Sequence, residues 1–448
     1  MTSYRIRSSS EKAALTRRGS TLLIVLWTVA LLGLVVVSVQ TSALRQATSS
    51  RQQLSRVRAR WAARAGVERI IARLAWENES PTPAGPLTLV KDLASLSEGE
   101  LRGATYEIAY SDQGALITGP VDLGKKLNIN TMSQAELMTL PYMTEDVADA
   151  ILDWMDSDDE VRPQGAEEGF YKSGRFSYKP RNGPIRSLAE LELIRGVLPE
   201  YVRGEDWNLN GRLDLNEDDG DVSWPPDNAD GKLDAGWSEI LTTRTTGGGP
   251  APGGEERINL RNASVEEISN RLNIETDQAQ ALSYYAKNPA NTLEGLLRDE
   301  LNRIRPDGGV SPTPVSQVRP LSRDELRTLF DTATMQGTAF PQAGKLNINT
   351  ASIEIFDYLP RVSPALADQI IFGRERLIEG YQSIVDLLDI PGVNGSILAD
   401  LATILDVRSN VYRVCCRGRD EATGVVVEII ATIDRSSLPV KITEYSAE

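Results

Sequence analysis

Residues Ser20 to Gln40 read STLLIVLWTVALLGLVVVSVQ and contain no charged side chain. About twenty apolar residues form a helix of roughly 30 Å, enough to cross the hydrocarbon core of a bilayer. Arg5, Arg7, Lys12, Arg17 and Arg18 precede the run, so the leader is expected to stay in the cytoplasm and the rest to face outward. A cleaved secretory signal has a shorter apolar core with a small-x-small site behind it. Here the run is long, and the small residue, Gly19, stands in front of it in the sequence RRGS. The helical pattern outlasts the membrane. Leu54, Val57, Trp61 and Ala65 recur at helical spacing, then Ile70, Ile71 and Leu74, and no proline occurs before Pro81. One helix is therefore predicted from about Ser20 to Glu77, roughly 85 Å long. Its first half is apolar on all sides and its second half amphipathic.

The remainder has ordinary globular composition, 41% apolar and 25% charged over 448 residues, which argues for two to four domains and against global disorder. The net charge is −15, yet the first nineteen residues carry +4, leaving about −19 on the rest. Such a surface repels phosphate backbones and suits divalent cations or basic partners, so no nucleic acid is expected. There is no histidine, which removes Ser-His-Asp and Cys-His catalysis and the usual zinc sets. The two cysteines, Cys415 and Cys416, are neighbours. In a strand they point to opposite faces and cannot readily bridge each other, so a buried structural pair is expected. Paired carboxylates could do acid–base work, but no nucleophile motif or phosphate loop accompanies them, and no enzyme is expected.

Alternation marks strands at Thr105–Tyr110 and Ala115–Gly119 around the turn Ser111-Asp112-Gln113-Gly114. It marks two more at Asn410–Arg417 and Gly424–Asp434 around Glu421–Gly424. The chain between is mainly helical, so the sheet is split by an inserted helical region. That region carries a threefold repeat: Lys126-Leu-Asn-Ile-Asn-Thr-Met-Ser133, Arg257-Ile-Asn-Leu-Arg-Asn-Ala-Ser264 and Lys345-Leu-Asn-Ile-Asn-Thr-Ala-Ser352. Ser133, Ser264 and Ser352 are N-cap candidates, with Glu136, Glu266, Glu267 and Glu354 in the first turns. Segments such as Ala148–Met155 and Ala365–Arg376 complete pairs of helices. The pattern resembles helix-hairpin-helix modules. The hairpins Pro141–Thr144 and Pro360–Ser363 lack the Gly-x-Gly that lets backbone amides meet a phosphate, and only Pro391–Asn394 comes near. They read as packing modules.

Asp206-Trp-Asn208-Leu-Asn210-Gly211-Arg212-Leu-Asp214-Leu-Asn-Glu217 matches the EF-hand loop. Side-chain oxygens stand at positions 1, 3, 5 and 9, Gly211 at 6, the Arg212 carbonyl at 7 and Glu217 at 12. An oxygen-only set suits calcium. Asp218–Pro226 does not read as an exiting helix, so a structural rather than a sensing loop is expected. A second run, Asn228, Asp230, Gly231, Lys232 and Asp234, keeps the rhythm, but Pro226 and Trp237 fall at its first and twelfth positions, and Glu239 could complete it. Asp156, Asp158, Asp159 and Glu160 form a third acidic group. Both loops lie beside the Gly/Pro-rich stretch Thr245–Gly254, so a mobile insert ordered by metal is expected.

The N-terminus resembles the class III signal of type IV pilins and type II secretion pseudopilins. The resemblance implies that a prepilin peptidase cuts between Gly19 and Ser20, leaving a membrane half and a stem half. Most of that family has glutamate at the fifth mature position, which is Ile24 here; its loss characterises the K-type minor pseudopilin. The run Ala150-Ile-Leu-Asp-Trp-Met-Asp-Ser-Asp-Asp-Glu-Val-Arg-Pro-Gln-Gly-Ala-Glu167, then Phe170-Tyr171, Asn182–Leu191 and Ile194-Arg-Gly196, is also similar to that family. The resemblance implies an α+β chain with a pilin-like antiparallel sheet split by a large all-α domain. Its expected organisation is a leader at 1–19, a transmembrane segment at 20–40, and the stem and first part of the sheet at 41–125. A helical module at 126–203, the calcium-loop insert at 204–237 and a linker at 238–256 follow. Two more modules occupy 257–405, and completing strands 406–448. The resemblance also implies single-pass anchorage in the inner membrane with a periplasmic head, and a place at the tip of a pseudopilus with the I- and J-type minor pseudopilins. The competing reading is a membrane-tethered helix-hairpin-helix protein of DNA uptake.

Overall fold

The computed structural model describes residues 10–81, 85–112, 114–173, 177–336 and 343–447. Arg5 and Arg7 of the leader and Gln113 of the predicted turn lie outside the described residues. Helix α1, Ser10–Glu79, is unbroken, as the lack of proline requires. Between Leu22 and Val39 every large apolar side chain is more than half exposed.

The second half of α1 lies across a seven-stranded antiparallel sheet. Strands β1 (Glu98–Glu100), β2 (Ala104–Asp112), β3 (Ala115–Thr118) and β4 (Val121–Asp122) precede the helical region, and Val411–Asp420, Val426–Asp434 and Lys441–Ala447 follow it. β2 pairs with Val411–Asp420, which pairs with Val426–Asp434, which pairs with the edge strand Lys441–Ala447. Ala104 and Asp420, from opposite ends of the head sequence, thus share one ladder, and the sheet is split as expected.

The face of α1 on the sheet is made of small residues. Ala59, Ala62, Ala63, Val67, Ile70 and Leu74 are buried there, and a Cβ on Gly66 would lie 2.7 Å from the Cys416 sulfur. Leu54, Val57 and Trp61, which set the predicted periodicity, are each more than half exposed. At 100° per residue they fall on the opposite side of the helix. The stem is therefore two-faced: a narrow alanine face meets the sheet, and a bulky stripe remains free. Cys415 and Cys416 are buried and unbridged, as expected. Burial pushes the Cys416 thiol up to about 12 and raises Cys415 as well.

Each repeat opens with a two-residue strand that closes on a later segment in parallel. Leu127–Asn128 pairs with Leu241–Thr242, Ile258–Asn259 with Ala333–Thr334, and Leu346–Asn347 with Leu405–Asp406. The expected linker at 238–256 therefore starts too early, because residues up to Thr242 complete the first closure. The second repeat has a core of its own, while the first and third share one. Ser133 and Ser264 cap their helices as predicted. Ser352 makes no side-chain cap, and a 3-10 turn, Ile353–Tyr358, follows it instead of an α-helix.

The fifth residue of each repeat acts as a clamp. Asn349 Nδ2 donates to the carbonyls of Tyr381 and Val407, both at 2.8 Å, and its Oδ1 accepts from the Tyr381 amide at 2.9 Å. Asn130 makes the same three bonds to Ile185 and Thr243. Arg261 replaces it in the second copy and reaches the carbonyls of Met335, Ala286 and Asn288. Thr243, Met335 and Val407 each directly follow the closing strand, so the clamp locks every closure. Asn349→Ala should lower stability by about 3 kcal/mol, since it strands three buried backbone groups; urea unfolding at unchanged pH measures it.

Candidate metal centre

The segment 205–234 contains two intertwined loops. In the first, Asp206 accepts from the amides of Asn210 and Gly211 at 2.9 Å each. Asn208 and Asn210 each accept from the amide two residues on. The side-chain amides of both donate to Asp214 Oδ2, at 3.0 and 2.9 Å. Glu217 closes the ring by accepting from the amides of Trp207 and Asp214, both at 3.0 Å. Gly211, at position six, has φ +73°, a conformation only glycine adopts freely. The sequence-predicted residues of this loop are thus brought together.

Asp206, Asn210 and Glu217 are 2%, 2% and 1% exposed. Burial drives the Asp206 carboxyl up to about 6 and the Glu217 carboxyl up to about 7. Burial also opposes ionisation of Asp214, but the Arg417 guanidinium outweighs it and holds that carboxyl below its ordinary value. Two desolvated carboxylates in an oxygen-only ring fit a hard divalent cation, which would supply the charge that burial withholds. Asp206, Asn208, Asn210, Asp214 and Glu217, with the Arg212 carbonyl, would hold it. The Arg212 side chain leaves the ring for Glu107 on β2, at 2.8 Å.

The second loop repeats the bonding. Asn228 and Asp230 each accept from the amide two residues on, Asn228 Nδ2 donates to Asp234 at 3.2 Å, and Gly231 has φ +75°. Its missing positions are filled from outside the run. Asp218 accepts from the Gly231 amide at 2.9 Å, as Asp206 does from Gly211. Glu205 accepts from the amides of Asn228 and Asp234 at 3.1 Å each, as Glu217 does from Trp207 and Asp214. Sequence reasoning missed Asp218 and Glu205 because the template is contiguous and these two are not. Trp237 lies instead in the core, with its indole N–H on the Pro141 carbonyl at 2.8 Å, and Glu239 is exposed outside the loop. Lys232 can offer only its carbonyl.

The first loop is fastened to the sheet. The Ser111 amide donates to the Gly211 carbonyl at 2.7 Å, and the Leu213 amide to the Ser111 hydroxyl at 3.0 Å. Asn210 reaches Glu428 at 3.1 Å, and Arg417 bridges Asp214 and Glu428. The insert is thus tied to both halves of the split sheet. Of the third acidic group, Asp158 and Asp159 bond the Glu160 amide and the Asn182 side chain at the surface, and only Asp156 meets other carboxylates.

Residues 126–204 match the profile of the type II secretion system (T2SS), protein K. Within that stretch the chain resembles this family. The match begins at the first repeat and ends just before Glu205. The type II secretion protein K family comprises pseudopilins, and the apolar first half of α1 fits a single-pass membrane anchor. Residues 341–405, the third repeat, match a helix-hairpin-helix motif. A chain in the crystal structure of the GspK-GspI-GspJ complex from the enterotoxigenic Escherichia coli type 2 secretion system is similar at 12% identity and a TM-score of 0.44. The alignment covers 89% of this chain and 99% of that one. No curated protein matches the sequence. Gly19 and Ser20, the expected processing residues, lie within the α1 backbone.

Proposed function

We propose that this chain is a minor pseudopilin that starts or caps a type II secretion pseudopilus, with α1 in the inner membrane and the head in the periplasm. Prepilin peptidase cuts it between Gly19 and Ser20, and the I- and J-type minor pseudopilins are its partners. The observation that carries this reading is the two-faced stem. One face of α1 is consumed by the chain's own sheet, while Leu54, Val57 and Trp61 continue the apolar membrane half on the other. Neighbouring apolar stems would cover that stripe and remove it from water. Ile24, uncharged where other subunits carry glutamate, leaves nothing to pair with a subunit above. The bulky helical region beside the sheet would obstruct further addition. Calcium in the two loops would fix that region on the sheet.

Two experiments test this. A strain lacking the protein should fail to secrete, and normal secretion would refute the role. Replacing Leu54, Val57 and Trp61 together by serine should reduce co-purification with the I- and J-type partners at least tenfold while leaving the head's melting point unchanged. The helix-hairpin-helix match raises the DNA reading, but the hairpins Pro141–Thr144 and Pro360–Ser363 lack the glycines that bring backbone amides to a phosphate, and the chain's net charge is −15. Duplex DNA should not be retained even at low salt.

A further inference from the structure

A second group of carboxylates lies outside both loops. Helix Glu145–Met155 ends with Asp153 fully buried and Asp156 half-buried, and the chain returns through residues 157–166 to place Glu167, 4% exposed, beside them. One oxygen from each of Asp153, Asp156 and Glu167 lies within 4.8 Å of the others. Gly165 gives the space, since a Cβ there would lie 1.9 Å from Asp153 Oδ2.

The partners are unevenly shared. Asp153 accepts from the Arg162 amide, at 3.4 and 3.3 Å, and faces its Nε at 3.3 Å. Asp156 stands 3.9 Å from the same guanidinium. Among the described residues, neither oxygen of Glu167 has a hydrogen-bond partner, and both are buried, as is the unpartnered Oδ1 of Asp156. A carboxylate stripped of water and given no donor is costly, and Arg162 does not reach it. Two oxygens each about 2.4 Å from a shared calcium stand at most about 4.8 Å apart, so one ion would touch all three carboxylates with little movement.

We propose that Asp153, Asp156 and Glu167 form a third divalent-cation site, of the hard, calcium-binding class and sharing no residue with the two loops. The ion pins the 157–166 excursion to the end of its helix, and Arg162 offsets part of the remaining charge. Neither the tip position nor occupancy of the loops is needed for this site.

The test uses the full chain purified in detergent, stripped with chelator and equilibrated with calcium alone, the bound ions being counted by elemental analysis. Glu167→Gln should bind one ion fewer per chain than the unchanged protein. Asp206→Asn with Glu217→Gln should lose loop ions but keep the one that Glu167→Gln removes. In chelator, Glu167→Gln should melt at or above the unchanged protein, because it deletes an unpartnered buried charge. An unchanged ion count in Glu167→Gln would overturn the proposal, and so would a large fall of its melting point in chelator.

Discussion

Gly418→Val should detach the stem helix from the sheet. A Cβ at 418 would lie 1.9 Å from the Ala59 carbonyl oxygen and 2.6 Å from the Ala63 amide nitrogen. Both are backbone atoms of α1, so no side chain can rotate away, and the helix must lift across the face that buries Ala62, Ala63, Val67 and Ile70. Overpacking of this kind costs about 3 kcal/mol. Urea unfolding should record that loss, and limited proteolysis should cut α1 between residues 55 and 75. Leu54→Ala, on the exposed side, should stay within about 0.5 kcal/mol. A Gly418→Val protein as stable as the unchanged one would mean that the helix does not lie on this strand.

The second large effect is that of calcium. Metal-free, the ring around Asp206 and Glu217 keeps two carboxyls raised to about 6 and about 7 by burial, above their unfolded values of about 4. The folded state then binds more protons than the unfolded one across that interval. Stability in chelator should therefore fall as pH rises from about 4 to about 7 and level off above. Saturating calcium should reverse the slope, because protons compete with the ion for the same oxygens, and its stabilisation should grow from pH 5 to pH 7.5. With free calcium a thousandfold above its Kd, one site contributes about 4 kcal/mol. Since Ser111, Arg417 and Glu428 join this loop to the sheet, chelation should also loosen the helical region, visible as faster amide exchange near 205–217. Glu217→Gln should abolish the share of the calcium-dependent shift in thermal unfolding that this loop contributes.

What the sequence reveals depends on how local the cause is. Strands β2 and Val426–Asp434 alternate because one face meets α1, so their pattern is legible. The edge strand Lys441–Ala447 is exposed along nearly all its length, carries no alternation and exists only through its ladder to Val426–Asp434. The stem's periodicity finds its bulky stripe but not its buried face, because Ala59, Ala62, Ala63 and Gly66 pack by being small rather than by being apolar. The first loop is contiguous and readable. The second takes Asp218 and Glu205 from beyond its own run, and Glu167 becomes a candidate only when the 157–166 excursion brings it to Asp153. The repeat itself is visible as a motif, while the clamp at Asn130, Arg261 and Asn349 needs the closing strands to be seen.

The central claim is that this chain enters the pilin export pathway, and the most direct measurement is the intact mass and N-terminal residue of the protein from native membranes, with and without prepilin peptidase. The account predicts a chain beginning at Ser20 when the peptidase is present and retaining its leader when it is absent. A start at Met1 in both strains, or a cut behind Gln40, would contradict it.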